Sequence, residues 1–275
     1  MYYNNIWKIY FSPTETTKKA VSYLAEGLAS QLITTSFKEF DFTLPDARKD
    51  FPFISSGDLV IFGVPTYAGR LPNLLLPYLN TIEGHGADAI AVVTFGNRSF
   101  DNSLIELRDI LTSHNFNVAA AAALSCEHSF SYDLGAGRPD KADKEEIIRF
   151  AADFAISEIA NCNNLLDVPG VTAEENYGGY YQPRDRHGNF IDIRKVKPLT
   201  DMDSCIECGT CAEDCPMGSI DHDDFTKVTG ICIKCGACIK KCPQVAKYFD
   251  DEGYLYHQHE LEEMYARRAS NSFFL

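Results

Sequence analysis

Eight of the ten cysteines fall between Cys205 and Cys242, in two copies of one pattern. The first copy reads Cys205, Cys208, Cys211, Cys215-Pro216; the second reads Cys232, Cys235, Cys238, Cys242-Pro243. Each cysteine of the second copy lies 27 residues beyond its counterpart, so the segment is an internal duplication. Three thiolates at spacings of three wrap one iron–sulfur cluster, and a fourth, held off by three residues and followed by proline, points to the other cluster. Gly209 and Gly236 let the backbone curl so that amides face the sulfurs. Zinc needs four ligands and would leave the third evenly spaced cysteine without a role in both copies. The spacing therefore predicts two 4Fe-4S clusters. A disulfide framework would spread its cysteines over a small secreted fold instead of clustering them.

A second chemistry lies near the start. Ser12-Pro-Thr-Glu-Thr-Thr17 sets four hydroxyls at the entry to a helix, where hydroxyls and free amides cradle a phosphate without a basic side chain. Elsewhere the reactive residues are sparse. His128 and Arg138 follow the fifth strand, and His128 is a candidate proton donor. Cys126 and Cys162 have no partner pattern and read as buried thiols. His257 and His259 sit two apart without further ligands, so a metal site there is not favoured. Nothing suggests a Ser/His/Asp or Cys/His nucleophile.

The elements that must hold these residues alternate. Ile6–Phe11, Phe37–Phe42, Asp58–Val64, Ala89–Phe95 and Val118–Leu124 read as strands. Between them, helical spacing covers 14–31, a stretch after Pro72 with a kink expected at Pro77, and the Leu104, Leu107, Leu111 run. Pro139-Asp140 opens a last helix. Five strands alternating with helices over about 160 residues predict a doubly wound parallel α/β sheet, with its ligand site at the carboxyl ends of the strands. Gly and Pro punctuate 163–197, which reads as an interdomain strap with a hairpin at Arg186–Asn189. A terminal helix is expected over Glu260–Arg268, and Phe273–Leu275 to dock back on the body.

The charges exclude several partners. Twenty-five Lys and Arg against 39 Asp and Glu leave a net charge of -14, which repels nucleic-acid phosphates and anionic membranes. No run approaches a membrane span, and the first residues lack a signal-peptide pattern, so a cytoplasmic location is expected. Residues 199–224 hold eight acids and no Lys or Arg, whereas 225–250 hold five Lys and one Asp, so the two cluster potentials are expected to differ.

The cysteine segment resembles bacterial two-cluster ferredoxins over roughly 198–250. That resemblance implies Cys205, Cys208, Cys211 and Cys242 on one cluster, and Cys232, Cys235, Cys238 and Cys215 on the other. The N-terminal loops resemble those of flavodoxins. Ser12, Thr14, Thr16 and Thr17 match the phosphate loop, with Glu15 at its usual glycine; that carboxylate either points to solvent or weakens FMN binding. Pro65, Thr66, Tyr67, Ala68 and Gly69 match the loop beside the isoalloxazine, with Tyr67 placed to stack on the ring. Thr94, Phe95, Gly96, Asn97 and Arg98 match the loop at the pyrimidine edge, with Asn97 holding that edge and Arg98 adding positive charge.

The whole chain resembles the flavodoxin–ferredoxin fusion proteins of anaerobic prokaryotes. The resemblance implies a flavodoxin-like FMN domain at 1–162 with strand order 2-1-3-4-5, a strap at 163–197, a small α+β ferredoxin domain at 198–250 and a helix and tail at 251–275. The function expected is an electron carrier that exchanges electrons with redox partner proteins and couples one-electron clusters to a two-electron flavin. The rival is a reductase of a small organic acceptor, with Tyr67, Arg98 and His128 as candidate catalytic residues; a third reading is a cluster-stapled interaction module with an empty flavodoxin domain. A homodimer is left open. No Gly-x-Gly-x-x-Gly follows a strand, so direct NAD(P)H use has no support.

Overall fold

An apolar run such as Leu59–Pro65 is stable only with both faces covered, and six of its seven residues are buried. The computed structural model describes residues 2–159, 168, 170 and 173–275. Strand β1 (Tyr2–Tyr10) lies between β2 (Ile33–Asp41) and β3 (Leu59–Pro65), and β4 (Asp88–Phe95) and β5 (Asn117–Ser125) continue the sheet, all in parallel. The order β2-β1-β3-β4-β5 is the flavodoxin-like doubly wound order that was expected.

Alternate side chains sort to the two faces. Ile6 and Tyr10 of β1, with Leu59, Ile61, Ile90 and Val92, pack under α1 (Thr16–Ala29) and α4 (Lys141–Ile159). Gly27 lets α1 and α4 approach, since a Cβ there would sit 2.7 Å from the Cβ of Ala151. Trp7, Ile9, Val60, Phe62, Ala91 and Val93 face the other way, against the short α2 (Leu76–Leu79) and α3 (Ser103–Ser113). The stretch after Pro72 is therefore not a kinked helix. Asn73–Leu75 forms a 3-10 turn, and Pro77 sits in the first turn of α2, where its missing N–H breaks no hydrogen bond.

The cysteine segment folds as two interlocked halves. β6 (Leu199–Thr200) pairs antiparallel with β7 (Lys247–Tyr248), so the first strand of one half closes on the last strand of the other. One-turn helices α5 (Thr210–Glu213) and α6 (Ala237–Lys240) stand 27 residues apart. The terminal helix, α7 (Glu252–Met264), begins eight residues before the expected Glu260, because Asp251 caps it by accepting the Tyr254 N–H at 2.8 Å. The tail docks as expected and adds a strand, β8 (Ser272–Phe274), antiparallel to β5. Ala121, Ala122 and Ala123 are small enough for it to lie alongside, with Phe273 4.9 Å from the Phe150 ring.

The Arg186–Asn189 turn is closed by Asp185, and Arg184 bridges to Phe190. Cys162 lies outside the described residues. Among them, no helix is long and apolar enough to cross a membrane.

Candidate functional site

Four cysteines line each of two cavities. Cys205, Cys208, Cys211 and Cys242 line one, and Cys215, Cys232, Cys235 and Cys238 line the other. Each set thus takes three cysteines from one repeat and one from the other. The curl that achieves this recurs at the 27-residue spacing: Glu207 and Lys234, Gly209 and Gly236, and Gly218 and Val245 all have left-handed backbone. It turns N–H groups toward sulfur. Glu207 donates to Cys205 Sγ at 3.4 Å and Lys234 to Cys232 Sγ at 3.4 Å; Ser219 donates to Cys215 Sγ at 3.3 Å and Ala246 to Cys242 Sγ at 3.2 Å. All-thiol donor sets around a cavity, with amides on the sulfurs, fit an iron–sulfur cluster. Among the described residues, no three His, Cys, Asp or Glu side chains gather as one metal ion would require.

The cavities differ outside their walls. Cys208 is exposed, and Ile206 in the same wall is 60 % exposed. Cys235 is only 8 % exposed, because its loop sits on the carboxyl edge of the sheet. A Cβ on Gly236 would lie 2.5 Å from the Ser129 carbonyl oxygen. Lys240 Nζ donates to the carbonyls of His128 at 2.7 Å and Ser131 at 2.8 Å, and pairs with the Glu127 carboxylate. Tyr67 belongs to the same seam: burial holds its hydroxyl pKa well above the usual value, and the nearby Cys235 and Cys232 add to the rise. Phe249, in the wall of the second cavity, lies 4.2 Å from the Tyr254 ring, which is in turn 4.7 Å from Phe130.

Three loops meet at this edge. In the first, Ser12 Oγ accepts the Lys18 N–H at 3.0 Å, and the hydroxyls of Thr17 and Thr94 lie 2.7 Å apart. The amides of Thr14, Thr16 and Thr17 find no partner among the described residues, which suits a phosphate cradle at a helix start. Glu15 is left-handed, with φ 65°, and its exposed carboxylate lies 3.4 Å from Lys18 and 3.3 Å from Lys241. In the second loop, Ala68 and Gly69 turn the chain so that Tyr67 bridges to Arg70. In the third, Asn97 is 2 % exposed and does not present its side chain to a ligand. Its amide donates to the carbonyls of Tyr265 and Arg267 at 2.8 and 2.5 Å, and its oxygen accepts the Ala269 N–H at 3.0 Å. The returning tail thus takes the group expected at the pyrimidine edge. Arg98 pairs with Asp101 and lies over the Tyr181 ring.

Residues 197–243 match the family model of the 4Fe-4S dicluster domain. No curated protein sequence matches the chain. Among solved structures, it is similar to a flavodoxin from the domain Archaea, at 14 % identity over 57 % of this chain and 99 % of that one, with a TM-score of 0.38. It is also similar to Flavodoxin 2 from Bacillus cereus, at 16 % identity over 56 % and 99 % with TM-score 0.39. A Fusobacterium nucleatum flavodoxin bound to flavin mononucleotide matches at 17 % identity over 57 % and 97 %, with TM-score 0.37. The strand order carries the fold assignment: the chain joins a flavodoxin-like sheet to a dicluster domain.

Several residues at the junction were not legible in advance. Arg70 and Glu106 form a buried bidentate pair at 2.6 and 2.8 Å, and Arg70 also donates to the Asn176 carbonyl. Tyr180 Oη donates to the Leu71 carbonyl at 2.8 Å and the Tyr181 N–H to the Ala68 carbonyl at 2.8 Å, so this part of the strap is packed against the second loop. Arg138 is 4 % exposed and held by Asp143, Ser125 and the Ala269 carbonyl. Cys126 is buried, which raises its thiol pKa and makes it inert. Burial pushes the pKa of His128 down to about 3, with Lys240, His257 and Arg98 adding to the fall.

Proposed function

We propose that this chain is an electron-transfer protein in which two 4Fe-4S clusters exchange electrons with FMN, coupling one-electron to two-electron steps. One observation carries the reading: the Cys232–Cys238 loop is seated on the sheet's ligand edge, against Tyr67 and the 127–131 loop. Clusters supply single electrons and a flavin accepts pairs, so the fold's task is to set distance and potential. In this reading Cys205, Cys208, Cys211 and Cys242 hold the outer cluster, and Cys215, Cys232, Cys235 and Cys238 the inner one. Ser12, Thr14, Thr16 and Thr17 hold the FMN phosphate, and the Tyr67 loop and the backbone of residues 94–98 flank the ring. Electrons enter beside the exposed Cys208, where a redox partner protein reaches the surface. They cross to the inner loop and arrive at the edge near Tyr67. Lys240 fixes that inner loop in place, and Glu15 is turned outward onto two lysines, which leaves the phosphate cradle clear.

The test is anaerobic purification followed by iron, sulfide and flavin analysis. About eight iron and about eight sulfide atoms per chain are expected, with roughly one FMN. In stopped flow, a low-potential donor should reduce the clusters first and bleach the flavin after a delay. Stoichiometric zinc without iron, or reduced clusters beside a flavin that stays oxidised, would overturn the proposal.

A further inference from the structure

The 27-residue repeat places Lys247 of β7 at the position that Ile220 holds in the first copy. Ile220 is 3 % exposed and lines the inner cavity; Lys247 is 2 % exposed and lines the outer one. One copy thus sets a buried hydrocarbon beside its cysteines, and the other a buried ammonium. Both stand on a short antiparallel pairing, Ile220 with Val228 and Lys247 with Thr200. The duplication supplies its own control: an apolar side chain satisfies the packing at this position.

The setting of Lys247 leaves its charge without an anion. Its Nζ donates to the Phe225 carbonyl, which also accepts Thr200 Oγ1 at 3.0 Å. Among the described residues that is its one hydrogen bond, and no carboxylate there pairs with it. A buried ammonium without an anion is costly, whereas the isoleucine of the other copy is not. The groups in its wall that carry negative charge when they ligate are the cysteines. Ala246, the residue before it, donates its N–H to Cys242 Sγ at 3.2 Å. Burial raises the thiol pKa of Cys211 and, with Cys235 and Cys232 nearby, of Cys238; the Lys247 ammonium opposes both rises. Lys247 thus acts on a cysteine of each set and lines only the outer cavity.

We propose that Lys247 is the internal counter-charge of the outer cluster and raises its reduction potential above the value an isoleucine there would give. The inference rests on the cluster reading above and deepens it. One-electron reduction adds a negative charge inside the outer cysteine set, and a fixed ammonium in the wall favours that reduced state. Buried, it is screened far less than a surface charge. The set with the exposed Cys208 thereby becomes the better acceptor where electrons enter. Lys247 carries no electron; it is a positioning residue that acts through its charge.

Lys247→Ile gives the second copy the residue of the first, Lys247→Met drops the charge from a side chain of similar length, and Lys247→Arg keeps it. Each full chain is purified anaerobically, its iron counted, and its clusters titrated with dithionite under electron paramagnetic resonance. The outer signal is the one that Cys242→Ala loses. Lys247→Ile and Lys247→Met should keep about eight iron atoms. They should lower the equilibrium constant for reducing the outer cluster about tenfold, about 59 mV for one electron. The inner cluster should shift less, and Lys247→Arg should move the outer one by no more than about twofold. An outer potential that does not move, or equal shifts of both clusters, would overturn the proposal. If Lys247→Ile and Lys247→Met both shed the outer cluster, Ile220→Lys decides: it should raise the inner potential, and an unchanged one overturns the proposal. A wild-type chain without iron would overturn the cluster reading as well; loaded clusters with an unmoved outer potential overturn this inference alone.

Discussion

Around Cys205–Cys211 the wall of the cavity is close to solvent, with Cys208 and Ile206 exposed; around Cys232–Cys238 the same curled backbone is pressed onto the sheet, with Cys235 and Ala237 buried and Ile231 left at the surface. The two halves share left-handed positions, one-turn helices and N–H···S contacts at a constant spacing. Their difference therefore comes from what docks against each backbone. Lys240 shows this well. Its counterpart 27 residues earlier is the exposed Glu213, whereas Lys240 reaches into the 127–131 loop and holds the inner cavity there. Charge along the chain is a poor guide to charge around each cavity, because the halves interlock. Lys247 belongs to the lysine-rich half yet lines the outer cavity, 2 % exposed. Lys241 lies 3.3 Å from Asp214 of the acidic half and 3.3 Å from Glu15.

The most drastic way to break the comparison is to remove a crossing ligand. Cys242→Ala should empty the outer cavity, lined also by Cys205, Cys208 and Cys211, and leave the inner one loaded; Cys215→Ala should do the reverse. Each should lose about four of about eight iron atoms. Electron paramagnetic resonance of the reduced variants tells which cluster remains. Loss of the cluster nearest in sequence would contradict the interlocked geometry. A milder test leaves the protein unaltered. An iron chelator added to the oxidised wild type should strip the cluster beside exposed Cys208 before the one beside buried Cys235. Loss of both at one rate would mean that exposure does not separate them.

Lys240→Met should loosen the inner cavity from the sheet while leaving the outer one untouched. It takes a cation from Glu127 and a donor from two carbonyls, and the side chain is only 11 % exposed. A loss of about 2–4 kcal/mol in thermal or denaturant unfolding is expected. Flavin reduction should slow with iron content unchanged. A variant as stable as wild type would show that the seam is held elsewhere.

How far this was legible depends on the range of the interactions. The parallel strands were readable because buried strands declare themselves as local apolar runs, and the two sets of cavity-lining cysteines because their spacing is itself the signal. Glu252 was missed as the start of α7 because a cap at Asp251 outweighs a weakly periodic polar surface. The fates of Asn97 and Arg138 were hidden because both are set by a tail more than 120 residues further on. Likewise, nothing local to His257 announces that Tyr181 and Phe130 will enclose it.

Glu15→Gly probes the contact between the phosphate loop and the inner half. The substitution removes a left-handed non-glycine residue, worth about 1 kcal/mol. It also removes exposed ion pairs to Lys18 and Lys241, worth about 0–1 kcal/mol. FMN should bind about as tightly as in wild type, because the carboxylate already points away from the cradle onto Lys18 and Lys241. Weaker binding in a fluorescence titration would mean that Glu15 helps to hold the cradle by anchoring Lys241.

The smallest expected effect sets the two sides apart by pH. His128 and His257 both lie on the inner side, and burial lowers their pKa from 6.5 to about 3 and about 4. Each stays neutral in the fold while the unfolded chain takes up a proton below about pH 6.5. The unfolded state then binds more protons, so stability rises with pH across this window. The contribution is complete above the unfolded value. It declines as pH falls, towards about 4 for His257 and about 3 for His128. His257→Phe removes one of the two groups. Between pH 7 and 5 the wild type should lose about 1 kcal/mol more than this variant, a figure kept low because solvent reaches part of the seam. Arg98→Met, by removing a cation that disfavours both imidazolium forms, should shrink the acid sensitivity in the same direction. Parallel stability–pH curves for wild type and His257→Phe would show that the seam opens before the imidazole is protonated. The inner cavity would then be no better sealed from water than the outer.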